Sequence, residues 1–266
     1  MKKALVVFSP GEVAALRVTV AGLVLLPLAF LKLKEIKSTH TGSLFLSGLL
    51  GVFIPAFLFT TAQQHIDSSV AGILNTISPL WTMIMGALFY KQVFKRVAVI
   101  GILIGLAGTI LLMVSRSGGE VVRFNLYGLL IVIACAFYGF NLNFIKFKIA
   151  DLGSLAITSF SVSMIGPLGA IYLFGFTDFI YKMQAAPGAW KAAGFVVLLA
   201  VMSTAIAVTL FNKLVKMTTP LFASMVTYIM PIVSVMWGVL DSERLYISHF
   251  VGMALILGGV YLANRR

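Results

Sequence analysis

Residues 71–88 read AGILNTISPLWTMIMGAL, and residues 223–240 read ASMVTYIMPIVSVMWGVL. Laid over one another at an offset of 152, Ala71, Pro79 and Gly86 fall on Ala223, Pro231 and Gly238. One gap later, at an offset of 151, Gly101 and Gly108 fall on Gly252 and Gly259. Five apolar segments separate equivalent points, and an odd number of membrane crossings per repeat turns the second copy upside down relative to the first. Inverted repeats are the build of a carrier. The sequence divides accordingly into a first repeat over residues 1–120 and a second over 121–266.

Composition sets the environment. Hydrophobic residues make up 60% of the 266, charged residues only 11%, and the mean hydropathy is +1.05. That leaves too little polar surface to solvate a globule of this size, so the chain reads as an integral membrane protein. The uncharged runs are about 20 residues or longer, the length that spans a hydrocarbon core of about 30 Å. They predict nine helices, near residues 11–31, 43–64, 70–90, 96–115, 125–149, 153–175, 190–212, 219–240 and 246–264. No run shows the alternation of a barrel strand, so the expected fold class is all-α, a polytopic membrane helix bundle of two inverted-topology repeats. Met1, Lys2 and Lys3 carry the charge of a signal peptide, but the apolar stretch Ala4–Phe8 is too short for one and no cleavage pattern follows. The single Cys135 excludes an internal disulfide and has no companions for a metal, so it reads as filler.

The net charge of +12 raises the question of nucleic acid. The basic residues are spread over many loops, however, and no one face collects them. With the C-terminus in the cytoplasm, twelve of the 20 Lys and Arg fall on that side and seven on the other, with Arg17 inside a helix. This follows the positive-inside rule for a multi-pass protein of the cell inner membrane, and the lipid bilayer is the expected partner of the basic excess, not nucleic acid. The second repeat shows five helices and the first only four, nine of an expected ten. A truncated start and a nine-helix variant are both open readings.

The spacing of Pro79, Gly86, Gly101, Gly105 and Gly108, matched by Pro231, Gly238, Gly252 and Gly259, resembles the drug/metabolite transporter superfamily and its EamA-like repeats. Ser9-Pro10 followed by Arg17 is similar to the family's second helix. Tyr138-Gly139-Phe140-Asn141 with Lys146 is similar to the signature on the first helix of a repeat. The resemblance implies ten helices, cytoplasmic termini, and export or exchange of a small metabolite by alternating access through a central cavity between the repeats. Amino-acid-like compounds are the substrates it points to first. Lys91 departs from the family, which usually has a glutamate there, as Glu243 provides in the second repeat.

A carrier needs polar groups at mid-membrane that substrate can satisfy, because an unpaired one in hydrocarbon costs several kcal/mol. Asn75, Ser78 and Thr82 are spaced to share one helix face, and Asn75 and Thr82 superpose on Thr227 and Ser234. Each stripe surrounds a proline, which frees a carbonyl one turn earlier and bends the helix. Interhelical hydrogen bonding is the plainer role for such hydroxyls. Trp81, Tyr138, Tyr228 and Trp237 lie inside their segments as candidate cavity walls, whereas Trp190 and Tyr246 lie at ends as interfacial anchors. Asn141 follows Tyr138 by one helical turn and forms a candidate joint site with it, while Asn143 points elsewhere. Arg17 is either a substrate contact or a structural anchor within snorkelling reach of headgroups, with Glu12 near enough to screen it. The candidate substrate-binding set is therefore Arg17, Asn75, Ser78, Trp81, Thr82, Tyr138, Asn141, Thr227, Tyr228 and Ser234.

Every Asp and Glu falls at a segment end or in a loop, so no mid-membrane acid is available for proton coupling and Glu12 is its only weak candidate. His40, His65 and His249 read as solvated. The glycine faces read first as packing inside the fold and second as a homodimer contact, leaving monomer or homodimer open. An intramembrane enzyme fails on inventory: paired aspartates, a His-Glu-x-x-His run and a Walker lysine are all missing, and neither a metal nor another cofactor is expected. A lipid or lipid-linked sugar translocase is the alternative to a metabolite carrier.

Overall fold

The first long helix shows how the sequence sets a span. The Ser9 hydroxyl accepts from the Glu12 N–H at 3.3 Å while the Glu12 carboxylate accepts from the Ser9 N–H at 2.7 Å. This reciprocal capping box is followed by Pro10 at the first helical position, where its missing N–H costs nothing. The protein is described from a computed structural model covering residues 2–116, 126–240 and 247–264. In chain order its helices are α1 (Lys2–Leu5), α2 (Pro10–Leu31), α3 (Ser38–Gly48), α4 (Ile54–His65), α5 (Ser68–Asn75), α6 (Ser78–Tyr90), α7 (Arg96–Arg116) and α8 (Gly128–Lys148). Then follow α9 (Ser154–Gly175), α10 (Phe179–Ala185), α11 (Ala189–Leu199), α12 (Ala207–Met217), α13 (Pro220–Ser224), α14 (Ile229–Leu240) and α15 (Ile247–Asn264). No strand occurs among the described residues, and the fold is an all-α polytopic bundle.

Among the described residues seven helical stretches are long and apolar enough to cross a membrane, and shorter apolar helices occupy Arg96–Leu112 and Pro220–Val233. The nine segments expected from hydropathy are helical, with boundaries that move for local reasons. The second begins at Ser38, earlier than its polar start suggested, because His40 Nδ1 accepts from the Lys37 N–H at 3.2 Å and His40 Nε2 lies 2.9 Å from an Asp151 carboxylate oxygen. His40 is thus paired, not solvated, and His249 is likewise buried.

Two spans contain a π-helical stretch, Leu49–Phe53 between α3 and α4 and Ala200–Ile206 between α11 and α12. In each, an N–H reaches back five residues, Ile54 to Leu49 and Ala207 to Met202. The repeat offset carries one onto the other. The proline-bearing spans loosen in the same paired way. The helix is interrupted at Thr76 and Ile77 ahead of Pro79, and Met225–Tyr228 tightens into a 3-10 turn ahead of Pro231.

The chain forms two compact units, Met1–His65 with Asn141–Thr219, and Ile66–Phe140 with Pro220–Arg266. Each takes helices from both repeats, and within each the most extensive packing joins repeat-equivalent helices, α2 with α9 and α7 with α15. Glycine makes both contacts close. A Cβ on Gly22 would lie 2.9 Å from the Gly166 Cα, and one on Gly101 would lie 2.6 Å from the Gly259 carbonyl oxygen. Small residues let backbones approach where the bilayer supplies no hydrophobic drive between helices. The glycine faces of α7 and α15 are therefore used inside the fold.

Candidate functional site

The polar cluster in the second unit grows from Pro79. With no proline N–H to accept, the Asn75 carbonyl is released, and the Ser78 hydroxyl donates to it at 2.7 Å. The Thr76 and Ile77 N–H groups fall back to three-residue bonds on Ile73 and Leu74, which sets the break between α5 and α6. Thr82 donates its hydroxyl to the Ser78 carbonyl at 2.8 Å, so the stripe is a chain of local bonds bent around the break, not a face of one straight helix.

Asn75 is half-buried, and the partners of its side chain are soft. Nδ2 points at the Met230 sulfur of α14 at 3.8 Å, Oδ1 lies 3.4 Å from the Ser78 hydroxyl, and the Cys135 Sγ of α8 lies 3.7 Å from the same oxygen. Cys135 also approaches the Leu74 carbonyl at 3.6 Å, so it belongs to the cluster and is more than filler. Gly139 brings α8 onto α6: a Cβ there would sit 2.6 Å from the Thr82 nitrogen and 2.7 Å from the Trp81 carbonyl carbon. This close approach places Tyr138, half-buried, one residue from the contact. Trp81, whose backbone makes that contact, is half-buried.

The repeat-related residues fare differently. Thr227 spends its hydroxyl on the Ser224 carbonyl at 2.9 Å. Tyr228 is only 1% exposed, donates its hydroxyl to the Ile102 carbonyl at 2.9 Å, and has its ring against Gly105, where a Cβ would come within 3.0 Å. Expected as a cavity wall, Tyr228 fills the core between α7 and the turn ahead of α14. Ser234 lies on α14, and its side chain is outside the described residues, as is that of Trp237.

The remaining two candidates belong to the first unit, and each meets a π-helical stretch. Arg17 Nε donates to the Thr204 hydroxyl at 2.9 Å. Asn141, 7% exposed, presses its amide nitrogen on Gly51, and its buried Oδ1 has no hydrogen-bond partner among the described residues. In the same unit Thr19 Oγ1 and Ser161 Oγ likewise have no partner among the described residues. Glu12 is 1% exposed, and its carboxylate binds the Lys182 ammonium at 2.8 Å as well as the Ser9 N–H. At the far end of α8, Lys146 donates to the carbonyls of Val215, Lys216 and Thr218, while Lys216 donates to those of Ala150 and Leu152. Lys146 thereby closes the end of α12, and Lys216 binds the turn between α8 and α9. Among the described residues no group of three His, Cys, Asp or Glu is placed to hold a metal.

Membrane-length helices that bend at symmetric positions, with polar side chains collected at the bends, define a polytopic membrane transporter. Residues 1–114 and 125–265 match the EamA-like transporter family. The chain is 25% identical over 263 residues to an uncharacterized transporter of Archaeoglobus fulgidus, covering 97% of this chain and 90% of that one. It is 26% identical over 262 residues to the uncharacterized inner membrane transporter YedA of Escherichia coli, covering 96% and 81%. It is 25% identical over 258 residues to the uncharacterized transporter YetK of Bacillus subtilis, covering 94% and 76%. A solved crystal structure is alike in fold at a TM-score of 0.68 and 20% identity, over 99% of this chain and 90% of that one. The chain belongs to the EamA-like transporter family, and its function is transport.

Proposed function

We propose that the protein moves a small polar metabolite, amino-acid-like compounds first, by export or exchange through alternating access, in the cell inner membrane with its C-terminus in the cytoplasm. The observation that carries this reading is the Asn75 amide, half-buried in a membrane-spanning stretch, whose N–H finds among the described residues only a thioether at 3.8 Å as acceptor. An amide with strong partners would be structural glue. One left with a sulfur keeps most of its donor capacity for a ligand. Ser78, Thr82, Trp81, Tyr138 and Thr227 share its unit and are proposed as the neighbouring contacts. Asn141 is proposed on its own ground, an acceptor oxygen buried and unspent.

Alternating access is supported by the paired irregularities. Helices interrupted by π-helical stretches and by pre-proline turns at repeat-equivalent positions have places at which to bend. The basic excess on the side of the C-terminus supports the orientation.

The test is transport of a labelled amino-acid panel in proteoliposomes by the native chain and by Asn75→Ala and Tyr138→Ala. Loss of one net hydrogen bond of about 0.5–1.5 kcal/mol predicts an affinity lower by roughly 2- to 13-fold for Asn75→Ala. Unchanged transport at normal expression in both variants removes the two residues from the substrate path. No solute movement together with flipping of labelled lipid would put the translocase reading in its place.

A further inference from the structure

A groove of about 360 Å³ lies in the first unit, and none of the residues discussed so far as a substrate contact lines it. Its apolar walls are Leu33, Ile36, Leu44, Phe160 and Met164, and its polar lining is Lys37, Ser38 and Thr41. Phe160 and Met164 are one turn apart on α9, and Thr41 and Leu44 one turn apart on α3, so two helix faces make the walls. The His40–Asp151 pair ties the first turn of α3 to the turn just before α9, so both helices start at the same end. The loop between α2 and α3 lines the groove at that end through Leu33, Ile36 and Lys37, and there we place its mouth.

The chain leading into this mouth marks a membrane surface. Leu23, Leu26 and Phe30 of α2 are exposed at helical spacing, as a lipid-facing stripe, and the basic run Lys32, Lys34 and Lys37 follows directly. Lys32 is paired with Glu35, whereas Lys34 and Lys37 make no ion pair among the described residues. Apolar walls that open beside unpaired ammonium groups at the end of a lipid-facing helix suit a molecule with the complementary halves. We propose that this groove binds one acyl chain of an anionic phospholipid, with Lys37 at the phosphate and the Ser38 and Thr41 hydroxyls beside it. A volume of this size lies at the low end of ligand pockets, about 300–1,000 Å³. It takes part of one lipid and leaves the rest in the bilayer. The site is independent of the transported solute.

The test is native mass spectrometry of the full-length protein in detergent with phosphatidylglycerol and phosphatidylcholine in equal amounts. One lysine near an anionic lipid surface is worth about 1 kcal/mol, so Lys37→Gln lowers retained phosphatidylglycerol about 5-fold and Lys37→Glu about 30-fold. Phosphatidylcholine stays unchanged in both. Thr41→Trp, at an exposed position that tolerates bulk, fills the groove and lowers both lipids. Lys91→Glu, in a different loop, leaves both as in the native chain. An unchanged lipid ratio in Lys37→Glu, with Thr41→Trp also without effect in proteins that melt normally, overturns the proposal. Displacement of phosphatidylglycerol by millimolar inorganic phosphate overturns it too, since the groove would then be a site for free anion.

Discussion

Gly258 and Gly259 are neighbours on α15 and offer a matched test of the packing argument. A Cβ on Gly259 would lie 2.5 Å from the Gly101 carbonyl oxygen and 2.5 Å from the Gly105 nitrogen, both backbone atoms that cannot swing aside. A Cβ on Gly258 would meet nothing within 4 Å. Replacing glycine by alanine inside a helix gains about 0.8–1.0 kcal/mol of intrinsic propensity at either position. Forcing one extra carbon into a close-packed contact costs about 1–3 kcal/mol. Gly258→Ala is therefore expected to stabilise by close to 1 kcal/mol, and Gly259→Ala to be neutral or to destabilise by up to about 2 kcal/mol. The propensity gain cancels in the difference, which isolates the packing term at about 1–3 kcal/mol. At roughly 2–4 °C per kcal/mol for a chain of this size, the two variants should melt about 2–12 °C apart in detergent. Tryptophan fluorescence during a thermal ramp, checked by size exclusion, measures it. Two variants that melt together would refute the close approach of α7 and α15.

Three further outcomes are expected. Tyr228→Phe should cost about 0.5–1.5 kcal/mol in melting experiments through loss of the bond to Ile102 while leaving substrate preference in proteoliposomes unchanged; a changed preference would return Tyr228 to the substrate path. Lys182→Met strands the buried Glu12 carboxylate and should destabilise by about 1.5–3 kcal/mol, and adding Glu12→Gln should recover part of that loss because a neutral amide costs less to bury. Lys146→Met removes a charged donor from three carbonyls at the end of α12 and should also lower stability by about 1.5–3 kcal/mol, with faster hydrogen exchange confined to residues near 215–219 as the diagnostic.

The parts of the fold legible in the sequence were those with a local cause. Proline removes a donor wherever it sits, so the loosening ahead of Pro79 and Pro231 followed from two residues alone. The glycine faces were legible because a repeat places them twice, although only the structure shows that they pair α7 with α15. The π-helical stretches were not legible. An inserted residue in a helix is stabilised by what packs beside it, here Asn141 against Gly51 and Arg17 on Thr204, and these partners are remote in sequence. Glu12 has its Lys182 partner 170 residues away, which is why the nearer Arg17 drew attention first. Tyr228 illustrates the same limit: an interior aromatic looks identical in sequence whether it lines a cavity or fills a core. Its role was decided by Gly105, a small residue on another helix that makes room for the ring.

The distribution of these features separates two jobs within the same chain. The continuous, repeat-equivalent helices α7 and α15 carry backbone contacts that admit no added carbon, and α2 with α9 repeats the close approach through Gly22, Gly166 and Gly169. The interrupted spans carry most of the candidate contacts: Asn75, Ser78 and Thr227 sit at pre-proline turns, and Thr204 lies in a π-helical stretch. Arg17 and Asn141 are on the continuous helices α2 and α8, yet their side chains go to the interrupted ones. A rigid pair tolerates no change in packing, whereas a helix with broken hydrogen bonding has backbone groups whose partners can change at little cost. Substitutions in the glycine faces should therefore be read in stability, and substitutions at the interruptions in transport, with the two effects separable because they reside on different helices.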